Sequence, residues 1–255
     1  MFEEGIARWK GRVALVTGAS SGIGDAIARR LARCGMKGAI VARRAERLAR
    51  LQTAIELGGG EALPIVANLR DEADIRRLFA ELRAAWGRLD LLVNNAGLGR
   101  EGRLETADPA DWREMLEVNV LALSLCIREA LADMKDKTEA QIINLSSLAG
   151  HRVPPGRDVA YYAATKHAVR ALTDGLREEM VRNQRSVRVG MISPGLVETE
   201  FHGNSLRDEG RGRAMYQRFK VLEPADIADA VAYMLAVPPH VQIHDIVLRP
   251  LAQPL

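Results

Sequence analysis

Tyr162 and Lys166 stand four residues apart in a stretch of helical pattern. That spacing puts them on one face, one turn apart. A free tyrosine has a pKa of about 10, too high for ready proton exchange near neutrality. A neighbouring ammonium stabilises phenolate and lowers that pKa. Tyr162 is thereby suited to act as general acid in one direction and general base in the other. Tyr161 is its rival, but the residue four positions on from it is Thr165. Ser147, at the end of a strand-like run, offers a hydroxyl to an oxygen that develops charge, with Ser146 as its competitor.

A second group of residues addresses phosphate. TGASSGIG, Thr17 to Gly24, ends one apolar run and opens a helical pattern. Such a turn lets backbone N–H groups approach a pyrophosphate, and the helix N-terminus adds favourable partial charge. Gly18 allows the turn, Gly22 the close approach and Gly24 the packing of helix on strand, with Ser20, Ser21 and Ile23 between them. The spacing G-x-x-x-G-x-G departs from the commoner G-x-G-x-x-G dinucleotide pattern. After the second apolar run, Ala42 stands where an NAD site usually offers a carboxylate, and Arg43 and Arg44 follow. Guanidinium groups bind a 2′-phosphate that a carboxylate would repel, so NADP(H) is the expected cofactor. Asn68 and Leu69 follow the third run, at the position for an adenine edge. Asn94 and Asn95 can tie adjacent strands, while Ala96 and Gly97 leave room for the adenosine ribose.

The elements that must position these groups alternate along the chain. Strand-like runs are Arg12–Thr17, Ala39–Ala42, Glu61–Ala67, Leu89–Asn94, Gln141–Ser146, Val187–Ser193 and Ile243–Leu248. Helical patterns lie between them at Ile23–Cys34, Glu46–Leu57, Asp71–Trp86, Trp112–Met134, Val159–Asn183 and Pro224–Ala236. Most strands read as unbroken apolar runs, the mark of burial on both faces. The expected fold class is α/β: a single doubly wound Rossmann domain over residues 1–255, a parallel sheet of seven strands with helices on both faces. His151–Asp158 and Thr199–Lys220 read as loops that wall a binding site, the second as a substrate loop.

Composition excludes other classes. With 47% hydrophobic residues and a net charge of only +3, the chain is not disordered. Its longest weakly charged stretch, Val118–Ile127, is too short to span a membrane. The 11 aromatic residues are not interleaved with basic runs, so nucleic acid is not an expected partner. Cys34 and Cys126 read as buried free thiols, in keeping with a reducing compartment. Met1–Lys10 lacks the apolar core of a signal peptide, and no lipidation box closes the C-terminus. His240 and His244 follow a Pro-Pro break and read as structural, so no metal is expected.

TGASSGIG, NNAG at Asn94–Gly97, Asn119, Ser146–Ser147, Tyr162-x-x-x-Lys166 and Pro194–Gly195 together resemble the short-chain dehydrogenase/reductase family over nearly the whole chain. GHRVP, YYAATK, ISPGLVET and HVQIHDIVLRP look closest to its member-eleven type, a group of NADP-dependent cytosolic reductases of keto-steroids and other carbonyls. The tail also resembles NADP-dependent serine and 3-hydroxy acid dehydrogenases. The resemblance implies a cytoplasmic homodimer or homotetramer acting on a small carbonyl or alcohol. It implies Asn119, Ser147, Tyr162 and Lys166 as catalytic residues, with Asn119 in a proton relay. It also implies Pro194, Gly195, Val197 and Thr199 beside the nicotinamide, with Lys166 reaching its ribose. Ser147 lies 15 residues before Tyr162, two more than the family usual, across a segment that holds Pro154, Pro155 and Gly156. Two other readings stand beside this one. A hydroxy acid substrate would want a cation, for which Arg152, Arg157, Arg207, Arg211 and Arg213 are available, and His151 and Arg152 are near enough in sequence to touch substrate. A catalytically silent dinucleotide sensor would have no need of the Ser147–Tyr162–Lys166 set.

Overall fold

Apolar runs such as VALVT and LLVN bury every residue, as strands covered on both faces must. In the computed structural model, which describes residues 2–254, seven strands form one parallel sheet in the order β3-β2-β1-β4-β5-β6-β7, the edge strands β3 and β7 being partly exposed. Met1 and Leu255, the outermost residues of the expected unit, lie outside the described residues. The strands are β1 (Val13–Thr17), β2 (Lys37–Ala42), β3 (Glu61–Val66), β4 (Leu91–Asn94), β5 (Ala140–Leu145), β6 (Val187–Pro194) and β7 (Asp245–Leu248). Parallel neighbours need crossovers, and helices supply them on both faces. The doubly wound Rossmann fold is thus as expected, with strand ends displaced by one or two residues. The order reverses between β1 and β4, and there the loops part to leave a crevice.

Side chains alternate across the sheet. Val13 and Leu15 face one layer of core with Leu78 and Phe79 of α4 (Glu72–Trp86), Cys126 and Ala130 of α6 (Leu123–Asp133), and Val169 and Leu176 of α7 (Ala160–Arg182). Ala14 and Val16 face the other, with Ile27 and Leu31 of α2 (Gly22–Arg33), Leu48 and Leu51 of α3 (Ala45–Leu57), and Val231 and Leu235 of α10 (Pro224–Ala236). The first helix, α1 (Phe2–Ala7), has no counterpart in the sequence reading; its Gly5 lies against the Ala236 carbonyl at the end of α10. No helix among the described residues is long and apolar enough to cross a membrane.

Two expectations change. The helix read over Trp112–Met134 is three pieces: α5 (Pro109–Leu116), a π-helical turn at Glu117–Ala122, then α6. An inserted residue of this kind re-aims side chains, and here it turns Asn119 into the protein, where it is 1% exposed. The stretch Thr199–Lys220 is not a plain loop either. It holds α8 (Phe201–Leu206) and α9 (Glu209–Tyr216), packed so closely that Gly212 touches the backbone of Gly203. Three glycines and an asparagine in this short stretch hide its helices, because these residues weaken intrinsic helix propensity.

Below the sheet one carboxylate gathers three guanidinium groups. Glu139, just ahead of β5, meets Arg8 at 3.1 Å, Arg12 at 3.3 Å and Arg188 at 3.2 Å. Arg12 and Arg188 flank the ring of Trp9, whose indole N–H donates to the Leu235 carbonyl at 3.0 Å. Removing the Glu139 carboxylate leaves clustered positive charge in a largely dry site. Glu139→Gln is therefore expected to lower stability by about 2–3 kcal/mol, the exposed flanks of Arg8 and Arg12 reducing the full cost. Urea denaturation checks this; a loss below about 0.5 kcal/mol would show that the cluster is solvated.

Candidate active site

The crevice between β1 and β4 is held in shape by side-chain bonds to backbone. The Thr17 hydroxyl accepts from the N–H groups of Asn95 and Ala96, both at 3.0 Å. The Asn95 amide donates to the carbonyls of Thr17 at 2.8 Å and Gly18 at 3.3 Å. These bonds set the glycine turn against the loop after β4. Gly18 and Gly22 have φ of 69° and 56°, where a side chain is strained. A Cβ on Gly18 would stand 2.9 Å from Ala96 Cα, one on Gly22 the same distance from Thr199 Cγ2, and one on Gly24 would collide with the Gly18 carbonyl. Helix α2 starts here with Ser21 as N-cap but with no side-chain cap bond, so its first N–H groups keep their capacity for an anion. A close-approach turn, uncapped donors and nearby guanidinium groups fit the phosphates of a dinucleotide.

The turn opens into a cleft of about 840 Å³. Gly18, Ser20, Ser21, Gly22, Ile23 and Gly24 line one part of it, and Arg43, Arg44, Asn68 and Leu69 the end beyond β2 and β3. Asn95, Ala96 and Gly97 form the floor. Ser147, Tyr162, Lys166, Pro194, Gly195 and Val197 line the cleft where the catalytic pair stands, and Thr199 lies against Gly22 of the turn. Of the residues expected to be catalytic or to hold the cofactor, all but Asn119 line the cleft. Its amide donates to the Leu98 carbonyl at 2.8 Å and to Thr165 Oγ1 at 3.0 Å, and its Oδ1 accepts from Leu98 N–H at 2.9 Å. Both ends of the amide are engaged, so this side chain fastens the loop after β4 to α7.

A buried ladder positions α7. Asn94 donates to Asn144 at 3.0 Å, and Asn144 donates to Thr173 at 2.9 Å, joining β4, β5 and α7. One side of α7 then presents Tyr162 and Lys166 to the cleft. Lys166 Nζ donates to the Leu145 carbonyl at 2.9 Å and sits 5.9 Å from the centre of the Tyr162 ring. The two serines have separate places. Ser146 is buried and donates to the Lys166 carbonyl at 3.2 Å, whereas Ser147 lines the cleft beside the Tyr162 hydroxyl and caps the short turn Leu148–Gly150. Tyr161 points elsewhere: its ring stacks on Trp112 at 5.0 Å.

The electrostatics depart from expectation. Burial pushes the Tyr162 phenol up to about 12, with Ser147 and Arg157 only moderating the rise. Burial also pulls the Lys166 ammonium down to about 8. In each case the loss of solvation of the charged form is the dominant cause.

Helices α8 and α9 roof the catalytic end. The Phe201 ring packs on Tyr162 at 5.5 Å and on His202 at 5.4 Å. His202 Nδ1 lies 3.0 Å from the Tyr216 hydroxyl, which donates to the Thr199 carbonyl at 2.9 Å. Burial, aided by the charge of Arg157, pulls His202 down to about 4. Of the arginines available to an anionic substrate, Arg152 and Arg157 line the cleft. Arg207, Arg211 and Arg213 do not, and Arg207 is paired with Asp111 at 2.6 Å. Arg100 and Arg218 line it instead. His151 also lies off the cleft, bound to Ser193 and Asp245 at 3.0 Å each. The sequence reading missed Arg47, Glu200, Phe201 and His202. Arg47 carried a signal, one helical turn beyond Arg43; the others had none, because the segment that carries them read as a loop.

A glycine turn at the switch point of a parallel sheet, in one cleft with a Tyr–Lys pair, defines a dinucleotide-dependent oxidoreductase of the Rossmann type. The family model for short chain dehydrogenases matches residues 12–210. Mouse dehydrogenase/reductase SDR family member 11 is 43% identical, over 99% of this chain and 99% of its own. Farnesol dehydrogenase of Aedes aegypti is 37% identical, over 96% of this chain and 98% of its own. The closed form of a serine dehydrogenase complexed with NADP+ superimposes with a TM-score of 0.89 at 34% identity, over 95% of this chain and 96% of its own. The chain belongs to the short-chain dehydrogenase/reductase family, whose members are oxidoreductases of small molecules.

The depressed His202 carries a consequence for stability. Unfolded, it takes a proton near pH 6.5; folded, it refuses one until about pH 4. Its contribution is therefore complete above pH 6.5 and is lost progressively as pH falls from there toward 4. At pH 5 the loss amounts to about 2 kcal/mol. Between pH 7 and pH 5, His202→Phe should lose about 2 kcal/mol less stability than wild type in urea titrations. Equal losses would mean that His202 takes a proton freely in the folded state.

Proposed function

We propose that the protein is an NADP(H)-dependent carbonyl reductase or secondary-alcohol dehydrogenase of the cytoplasm, acting on ketones, keto-steroids or dicarbonyls. The observation that carries the reading is the convergence of Ser147, Tyr162 and Lys166 in the same cleft as the uncapped glycine turn. When bound, the dinucleotide supplies or accepts the hydride. Gly18, Ser20, Ser21, Gly22, Ile23 and Gly24 would hold its pyrophosphate, and Arg43 and Arg44 its 2′-phosphate. Asn68 and Leu69 would take the adenine, Asn95, Ala96 and Gly97 the ribose, and Pro194, Gly195, Val197 and Thr199 the nicotinamide end.

The protein's own groups handle the proton. Tyr162 gives its phenolic proton to the substrate oxygen in reduction and recovers it in oxidation. Ser147 donates a hydrogen bond to the same oxygen as charge develops there. Lys166, anchored on the Leu145 carbonyl, is directed at the tyrosine and at the cofactor ribose. Asn119 holds the relay position of the family, and its bonds to Leu98 and Thr165 keep the wall beside Lys166 fixed. This equipment argues against a catalytically silent sensor.

A 3-hydroxy acid or serine dehydrogenase is the second reading, favoured by Arg152 and Arg157 in the cleft. Arg157 has only a long contact with Glu101, 3.6 Å, so its charge remains available to a carboxylate. Steady-state rates on ketones, keto-steroids, dicarbonyls and hydroxy acids with both cofactors separate the two. Assembly as a homodimer or homotetramer is supported by Leu116, Leu121, Leu172 and Val181, apolar and exposed along α5, the π turn and α7. Sedimentation at a constant 28 kDa would contradict that assembly.

Tyr162→Phe keeps the ring against Phe201 but removes the proton. It should lower kcat by about 10²–10⁴-fold while NADPH still binds. Tyr161→Phe, which only alters the stack on Trp112, should stay within a few-fold of wild type. The reverse pattern would overturn the assignment. Arg43→Ala should raise the NADPH dissociation constant by roughly ten- to a hundredfold and leave NADH nearly unchanged. Equal wild-type affinity for both nucleotides would refute the NADP(H) preference.

A further inference from the structure

One of the two arginines expected to meet the 2′-phosphate, Arg44, already has an anion. Arg44 lies across the glycine turn, its Nε and Nη2 at 3.0 and 2.8 Å from Ser20 Oγ and its Nη2 at 2.7 Å from Ser21 Oγ. Its remaining arm, Nη1, donates to Glu200 Oε2 at 2.9 Å. The other oxygen of that carboxylate accepts from Arg47 Nη1 at 2.6 Å. Glu200 itself lines the cleft with Ser20, Ser21 and Arg44. Burial works to raise its pKa, but the hydrogen bonds and charges of Arg44 and Arg47 outweigh this and hold the group ionised.

Two oxygens shared between two guanidinium groups is the arrangement that a phosphate monoester also takes. Glu200 comes from a different part of the chain than the arginines, at the start of the segment that roofs the catalytic end. Its neighbour Thr199 is held by the Tyr216 hydroxyl, and its other neighbour Phe201 packs on Tyr162. An anion that displaces Glu200 therefore loosens the base of α8.

We infer that Glu200 is a specificity-determining residue, a carboxylate that competes with the 2′-phosphate of the cofactor for Arg44 and Arg47 and ties the α8–α9 roof to that site. The inference rests on the NADP(H) reading above. NAD(H) carries no 2′-phosphate and leaves the clasp closed, whereas NADP(H) has to open it. Glu200 thus lowers affinity for NADP(H) alone and narrows the gap between the two nucleotides.

Binding of NADPH and NADH, followed by nucleotide fluorescence, tests this with wild type and Glu200→Gln. The variant should bind NADPH about three- to tenfold more tightly, the size expected of two half-exposed ion pairs, and NADH within twofold of wild type. Limited trypsinolysis after the exposed Arg211 and Arg213 reads the roof. Adenosine 2′,5′-bisphosphate should speed cleavage of wild type about threefold or more, adenosine 5′-monophosphate should not, and Glu200→Gln should be cut rapidly with neither. Unchanged or weaker NADPH binding by Glu200→Gln overturns the inference, because Glu200 would then organise the arginines. Cleavage indifferent to the 2′-phosphate overturns the tie to the roof. Equal wild-type affinity for NADPH and NADH, read without any variant, overturns the NADP(H) reading instead.

Discussion

The pin between Thr17 and Asn95 governs the rest of the site. Strands β1 and β4 are neighbours in the sheet but far apart in the chain, and their loops leave in opposite directions. A crevice at such a point has no reason to keep its width unless something crosses it. One hydroxyl and one amide do so, through bonds to four backbone groups of 2.8 to 3.3 Å. They satisfy backbone groups that the ladder leaves over once the strands part, and that satisfaction makes the turn costly to deform. The glycine turn is then presented to the cleft at a fixed distance from the floor, and α2 points its uncapped end into the same space.

From that fixed edge, position is handed across the sheet by polar side chains in dry surroundings. Asn94, Asn144 and Thr173 carry it from β4 to α7, and the Leu145 carbonyl fixes the tip of Lys166. Buried networks of this kind are costly when incomplete and rigid when satisfied. They explain how a lysine can sit in a cleft that disfavours its charge. The same dryness raises Tyr162, so burial works against the charged form of each partner, although the lysine, at about 8, still carries its proton at neutral pH.

The sheet and the cleft were legible in the sequence because their determinants are local. Unbroken apolar runs mark strands buried on both faces, and a glycine turn between a strand and a helix has few alternative structures. Tyr162 was separable from Tyr161 by the lysine one turn away, and Trp112, stacked on Tyr161, gives that rival a packing role. What was not legible depends on groups distant in the chain. The π turn costs one extra residue that leaves no periodic mark. The helices α8 and α9 are stabilised by each other through the close approach of Gly203 and Gly212, residues that locally argue against helix. The direction of the Tyr162 shift is set by burial, which no spacing of charged residues reveals.

The two extra residues between Ser147 and Tyr162 show how tertiary contacts can keep a site in register against a local change. If the longer segment were loose, Ser147 would drift with it. It is tied at both ends instead. Ser147 accepts from Ala149 N–H at 3.1 Å and closes the short turn Leu148–Gly150. His151 then docks on Ser193 and Asp245, while Arg170 of α7 donates to its Nδ1 at 3.1 Å. That bond fixes the tautomer, leaving the proton on Nε2 to face Asp245. At the far end the Asp158 carbonyl accepts from Gly102 N–H at 2.7 Å. The added length is absorbed between these anchors, where Val153, Pro155 and Gly156 face solvent. Ser147 therefore stays beside Tyr162 because β6, β7 and α7 hold the turn that follows it, and the count of residues in between is free to vary.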